Sequence, residues 1–258
     1  MIRRLSAFLI PLTFLMGTLL LRGVPERISA SLWILSSALI TAGLLAPRSQ
    51  VFGRTIFQGP PQPRVALTFD DGPHPEDTPA ILGVLAAAGA QATFFFVGKK
   101  AREHPELVRE VARSGHEVEA HSDTHPWWFS LAGKGRLRRE VRRSVATLTQ
   151  LSGRRPRFFR PPMGHKGLSL EETLREEGLE MVTWSARPFD TVSRSPQAIQ
   201  TRLLDRARPG GILLLHEGIR RQNGHPSRAV QALPGLLRGL RERGLEPVSL
   251  GDLLGRKE

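Results

Sequence analysis

The 258-residue chain contains no cysteine. Disulfides and thiolate metal sites are therefore excluded, and a bound metal ion must take its ligands from histidine and carboxylate side chains. Lysine is scarce, standing only at positions 99, 100, 134, 166 and 257. The chain is still strongly basic, with 37 Lys+Arg against 24 Asp+Glu and a formal charge of +13, so its positive charge is almost wholly arginine. Such a surface suits phosphate or anionic lipid. Its ordinary origin is a set of solvated helix faces. Internal repeats are missing, and so is any nucleic-acid-binding motif, which argues against nucleic acid as a partner despite the charge.

Long hydrophobic runs are confined to the N-terminus. Leu5 to Leu21 is uncharged and follows Arg3-Arg4, and Ile28 to Ala46 is a second such stretch. Between them lies the polar turn Arg22 to Arg27. Each approaches the length needed to cross a bilayer. A cleaved signal peptide competes for the first, but no small-x-small site precedes Arg22. A soluble hydrophobic helix competes for the second, which has no polar face beyond Ser and Thr. The expectation is a transmembrane hairpin, with residues 1–50 as a membrane anchor in contact with lipid. Two arginines precede it, two lie in its turn and three follow at 48, 54 and 64, a weak lean toward cytoplasmic ends.

Residues 51–63 read as a linker, ending in the Pro-rich Gln58-Gly59-Pro60-Pro61-Gln62-Pro63. Beyond it, seven short apolar runs, at 64–69, 91–97, 117–121, 157–160, 180–185, 211–216 and 246–250, alternate with amphipathic segments. Helices are expected at 77–88, 99–113, 134–151, 168–177, 196–207 and 227–242, with glycines 89, 115, 178 and 244 at their C-terminal ends. Seven strands with helices between them predict an α/β fold with a parallel sheet that closes plausibly into a barrel. In a parallel barrel the reactive groups gather at the C-terminal strand ends.

The most informative string is Thr68-Phe69-Asp70-Asp71-Gly72-Pro73. It follows the apolar run Val65-Ala66-Leu67, and Gly72-Pro73 forces a turn, so two carboxylates arrive at a strand tip. Adjacent carboxylates repel unless a cation or a shared proton balances them. About fifty residues on stands His121-Ser122-Asp123-Thr124-His125. Two carboxylates and a His-x3-His pair make a one-metal hydrolytic centre the leading idea. An alternative for the Asp pair is a helix N-cap and turn, which needs only one Asp. Arg160, Asp190 and His216 also fall at or just past strand ends.

Together these strings resemble the polysaccharide deacetylase family, the NodB-homology or carbohydrate esterase family 4 domain, across residues 64–256. Five motifs stand in the family's order: Thr68–Pro73, His121–His125, Arg160-Pro161-Pro162-Met163-Gly164, Trp184–Thr191 and Leu213-Leu214-Leu215-His216. The resemblance implies an irregular (β/α)7 barrel that hydrolyses an N-acetyl or other N-acyl group from an amino sugar of a cell-envelope polysaccharide, peptidoglycan or lipid-linked glycan. By resemblance Asp70 is the general base and Asp71, His121 and His125 hold a divalent metal. Zn suits that donor set best, with Co or Fe as options. Arg160 orients Asp70, Asp190 holds the general acid His216, and Leu214, Pro162, Trp184 and Arg187 meet the substrate. The fourth motif departs most: Arg187 stands where an Asp is common, and Thr191 where a sugar-stacking Trp is common. Arg187 offers a planar cation for a phosphate or carboxylate, or for a structural ion pair. The resemblance leans toward an extracytoplasmic catalytic domain, against the charge count. Two other readings stay open: an O-acetyl esterase on the same scaffold, and a membrane-tethered glycan-binding protein without turnover.

Outside the motifs, Trp127-Trp128-Phe129 suits sugar stacking, a membrane interface or packing under the barrel. The cationic segment Lys134 to Arg143 reads as a solvated helix face or a contact to anionic head groups. Glu119 reads as a group behind the metal site or as surface, and His104, His116, His165 and His225 as surface or helix-end residues.

Overall fold

The computed structural model describes residues 17, 23, 25–192, 195–218 and 226–256. The seven expected strands are present: β1 Arg64–Gly72, β2 Thr93–Phe96, β3 Glu117–Ala120, β4 Phe158–Phe159, β5 Glu180–Met181, β6 Ile212–His216 and β7 Glu246–Val248. All pair in parallel, in the order β5-β4-β3-β2-β1-β6, with β7 on the N-terminal half of β1. The sheet curls until the chain just past β5 meets β6. There Ala186 bridges Leu213, and the Leu214 N–H donates to the Ala186 carbonyl at 3.0 Å. The expected barrel is thus a curled sheet whose seam is a single bridge instead of a ladder. β5, the edge strand that would face β6, is only two residues long, too short to build a ladder across the seam.

Alternation sorts the side chains into two layers. Val65, Leu67, Phe69, Phe94, Phe96, Leu213 and Leu215 pack outward under the helices. Ala66, Phe95, Phe158, Val182, Trp184, Ile212 and Leu214 pack inside the curl. Burial on both faces explains the continuous apolar runs.

The helices are α1 Glu26–Leu45, α2 Asp77–Ala88, α3 Gly98–Glu103, α4 Pro105–Arg113, α5 Lys134–Ser152, α6 Leu170–Glu176, α7 Pro196–Arg206, α8 Arg228–Glu242 and α9 Leu250–Leu253. One expected helix, 99–113, is two. Pro105 disfavours helical backbone at His104 and then starts α4 as its first residue. Ser195, Ser227 and Ser249 cap α7, α8 and α9 by accepting backbone N–H bonds.

α1 corresponds to the second N-terminal stretch and is long and apolar enough to cross a membrane. Ile28, Leu32, Trp33, Ile34, Leu35, Leu39 and Leu45 are exposed along it. The first stretch, 5–21, lies outside the described residues except for Gly17, so the hairpin itself is not seen. The stretch expected as a linker, 51–63, packs along the domain. Ile56 pairs with Val182 beyond β5, Gln58 pairs with Gly211, and Phe52 and Thr55 are buried.

Candidate active site

β1 carries both carboxylates, and a bulge explains how. In a regular strand, adjacent side chains face opposite sides. Here Asp70 pairs with Phe95 and Gly72 with Phe96, leaving Asp71 as an extra residue against β2. Asp71 takes φ 69°, in the left-handed region. The bulge re-aims its side chain, so Asp71 joins Asp70 on the open end of the curl. All five non-glycine residues that the described part holds at positive φ lie at this end: Asp71, Ser122, His125, Met163 and Phe189. Such strain persists where surrounding contacts over-determine the backbone. For the His121–His125 loop those contacts are specific. Glu140 on α5 accepts the N–H groups of Asp123 and Thr124, Ser122 Oγ accepts that of His125, and Arg102 pairs with Asp123 at 2.6 Å.

Asp71 Oδ1 lies 3.5 Å from His121 Nε2 and 3.3 Å from His125 Nε2. Donors about 2.0–2.1 Å from a tetrahedral ion stand roughly 3.3 Å apart. The ligand atoms of this triad lie within 4.8 Å of one another, the one such cluster among the described residues. His121 Nδ1 faces the Arg160 carbonyl at 2.6 Å. A carbonyl only accepts, so Nδ1 carries a proton and Nε2 is the ring atom turned to the site. Burial alone would raise the Asp71 carboxyl, but a hydrogen bond and charge from His121, with His216 and His125 nearby, hold it far below the usual range. Burial and His121 together lower His125. An ionised carboxylate and neutral imidazoles are the forms that bind a metal. The triad therefore fits a divalent ion.

Asp70 is 2 % exposed and accepts from Arg160 Nη1 at 2.6 Å. Arg160 is fully buried and also donates to Thr68 Oγ1 at 2.8 Å and the Thr183 carbonyl at 3.1 Å. Its guanidinium lies 4.0 Å from the Phe95 ring centroid and 6.0 Å from that of Trp184. Burial lowers its pKa and Asp70 opposes this. A buried cation with a planar fork fixes the direction of Asp70.

His216 pairs in register with Asp70 across β1 and β6. Asp190 takes hold of it twice: Oδ1 lies 2.8 Å from His216 Nδ1, and Oδ2 accepts its backbone N–H at 2.8 Å. Burial would lower the imidazole pKa, but Asp190, helped by Asp70 and Asp71, lifts it to about 9. His216 is thus a proton carrier at neutral pH.

The remaining substrate candidates divide. Leu214 and Trp184 are buried inside the curl, Trp184 against Gly164, and Pro162 is buried in the loop after β4. Arg187 is exposed, stacked 4.2 Å over the Phe189 ring. Of the two readings of His116, the helix-end one holds: it follows α4, and it is buried against Phe94. One sequence expectation is corrected. Glu119 is neither behind the metal triad nor exposed: it is buried and accepts the N–H groups of Arg157 and Phe158, and burial raises its pKa. Sequence reasoning also missed supporting residues. Thr68 and Thr183 fix Arg160, Phe95 floors it, and Lys100 Nζ donates to the Asp71 carbonyl at 2.6 Å. Thr68 lay inside a motif already singled out; Lys100 and Thr183 carried no spacing signal.

Fold and site together define a curled parallel α/β barrel with a His2Asp cluster that could hold a metal ion, an arginine-held carboxylate and an Asp190-paired histidine at its C-terminal rim. The sequence matches the polysaccharide deacetylase family over residues 58–182. A chitooligosaccharide deacetylase of Azorhizobium caulinodans is 35 % identical over 158 residues, 61 % of this chain and 75 % of that protein. A peptidoglycan N-acetylglucosamine deacetylase crystallised with a hydroxamate-type benzamide superposes with TM-score 0.73 and 31 % identity, covering 78 % of this chain and 92 % of that one. A mutant of a family 4 pseudoenzyme with restored activity superposes with TM-score 0.72 and 25 % identity, over 80 % of this chain and 72 % of that one. The chain belongs to the polysaccharide deacetylase family.

Proposed function

We propose that this chain is a metal-dependent, membrane-anchored N-deacetylase of amino sugars in an envelope glycan, peptidoglycan or lipid-linked glycan. One observation carries the reading: three groups of different chemistry converge on one opening. They are the Asp71–His121–His125 triad, the Asp70–Arg160 pair and the His216–Asp190 pair. Asp71, His121 and His125 would hold a divalent ion, most fittingly zinc, which would supply Lewis acidity and lower the pKa of water. Asp70, held in place by Arg160, takes the proton of the attacking water. His216 donates a proton to the departing nitrogen, so that the amide C–N bond breaks to a free amine and a carboxylic acid. Trp184 and Leu214 exclude water behind the acyl group, and Arg187 on Phe189 gives the sugar or its phosphate a flat cationic contact.

The O-acetyl esterase reading needs less from His216, because an alkoxide leaves with little protonation. A histidine held charged at pH 7 favours amide substrates. The reading without turnover requires a lost base or ligand, and this chain carries a candidate residue for each. α1 and the apolar stretch before it supply the membrane anchor in this proposal. The test is acetate release from N-acetylated oligosaccharides by the full chain in detergent, chelated and then resupplied with zinc. Release that follows zinc supports the reading. Zinc binding without acetate from any amide, but with acetate from O-acetyl sugars, would replace it with the esterase.

A further inference from the structure

The exposed large apolar side chains of the catalytic domain are not scattered. Among the described residues beyond α1 they are Trp127, Leu131, Met163, Leu168 and Val192. Every one stands on a loop leaving the C-terminal end of β3, β4 or β5, on the rim of the active site. Trp127 and Leu131 are each 75 % exposed. Single exposed leucines need no explanation, but confinement of all five to one rim does.

The same rim holds the root of α1. Lys166 is wholly buried and donates from Nζ to the carbonyls of Ala46, Pro47 and Ser49 at 2.9, 2.8 and 2.7 Å. Its backbone N–H donates to the Leu44 carbonyl at 3.0 Å. An ammonium thus satisfies the carbonyls where the chain leaves the helix. Thr183 Oγ1 donates to Pro47 at 2.9 Å, and Arg48 donates to the Ser185 carbonyl. Next to Lys166, Gly167 packs so close to Ser130 that a Cβ would come within 2.7 Å of its carbonyl oxygen. The root of α1, the loop after β4 and the loop after β3 are therefore one continuous body, and Leu131 and Leu168 flank the joint.

α1 has 20 residues, a length of about 30 Å, which is the thickness of a bilayer's hydrocarbon core. A helix clamped at its root fixes which face of the domain meets that bilayer. Cations sit on the same rim, Arg136 stacked 4.9 Å from the Trp128 ring and Arg187 over Phe189. Aromatic side chains with arginine beside them suit the headgroup zone.

We propose that the catalytic rim seats on the anionic bilayer that α1 enters, with Trp127, Leu131 and Leu168 in the interfacial zone and Arg136 at lipid phosphates, so that the site takes its N-acylated glycan at the membrane surface. This deepens the proposed function and rests on α1 crossing the membrane. It implies that a glycan borne on a lipid is preferred over the same sugar free in solution.

The absence of native cysteine makes the test direct. The full chain is reconstituted in phosphatidylglycerol–phosphatidylcholine nanodiscs with one nitroxide each at Leu131→Cys, Leu168→Cys, Leu35→Cys on α1, or Gln91→Cys at the opposite end of the sheet. Power saturation is read with oxygen and with a water-soluble nickel chelate. The labels at 131 and 168 should be more accessible to oxygen than to nickel, and the label at 91 the reverse. Labels at 131 and 168 that behave like the one at 91 overturn the seating, and a water-exposed label at 35 overturns the reading of α1 beneath it. These arms need no turnover, so they stand apart from the deacetylase reading. A second arm uses Trp127→Ser/Leu131→Ser/Leu168→Ser, residues outside the catalytic machinery. Turnover of a synthetic N-acetylglucosaminyl phospholipid in the same nanodiscs should fall about tenfold while that of soluble N-acetylglucosamine oligomers holds. Equal effects on both, or none on either, contradict the proposal.

Discussion

Replacing Asp190 with Asn tests the acid half of the mechanism most sharply. Asp190 lifts His216 to about 9 against a burial effect of opposite sign. Without the carboxylate charge, burial is opposed only by Asp70 and Asp71, and the imidazole should titrate near its ordinary value of 6.5. The change is about 2.5 pKa units, on the order of 3 kcal/mol. At pH 8 the protonated fraction should fall from about nine-tenths to a few hundredths. The first assay is 1H–15N NMR titration of His216 in metal-free protein, where no ion on Asp71 offsets the charges of Asp70 and Asp71. The second is the pH profile of kcat/KM, whose alkaline limb should move down by about two units. Stability carries the same sign. A raised histidine pKa stabilises the fold fully below about pH 6.5, and that contribution disappears as pH rises through about 9. The urea stability gap between parent and Asp190→Asn should therefore be widest in mild acid and narrow in alkali. An unmoved His216 titration would refute the reasoning, because it would mean that another group sets the proton affinity.

Three further outcomes are expected. Asp71→Asn or His121→Ala should weaken zinc binding by about 100-fold or more in calorimetry, since each removes one of three ligands. Arg160→Lys keeps the buried charge but loses the fork that reaches Asp70, Thr68 and Thr183 together; kcat should fall about 100-fold with little change in KM. Gly72→Ala should destabilise the fold by about 2 kcal/mol or more in urea titration, because its Cβ would meet Glu217 Oε1 and, at 2.7 Å, the Phe96 ring.

The order of elements was legible because burial on both faces of a parallel sheet writes each strand as an unbroken apolar run. Phe94-Phe95-Phe96 and Ile212 to Leu215 are the clearest cases. Glycine ends were legible for a backbone reason: Gly89 closes α2 at φ 56° and Gly178 stands after α6 at φ 67°. The reactive groups were legible as types at strand ends. The bulge at Asp71 was not, since pairing register depends on β2, far away in sequence. The seam at Ala186–Leu213 likewise joins segments that share no local signal. Proline-rich residues 58–63 read as a spacer because their composition lacks periodicity, yet their backbone groups find partners on Gly210 and Gly211. Lys166 carried no signal in the sequence, because its three carbonyl partners lie more than a hundred residues away.

The claim at the centre of this account is that metal binding and proton abstraction belong to adjacent but separate carboxylates, Asp71 and Asp70. The measurement that tests it most directly is zinc binding and acetate release by Asp70→Asn, side by side in the full chain. The account predicts one zinc bound with an affinity near the parent's and acetate release slowed about 1000-fold or more. Acetate release within tenfold of the parent would place the base elsewhere, and loss of zinc together with activity would make Asp70 a ligand instead.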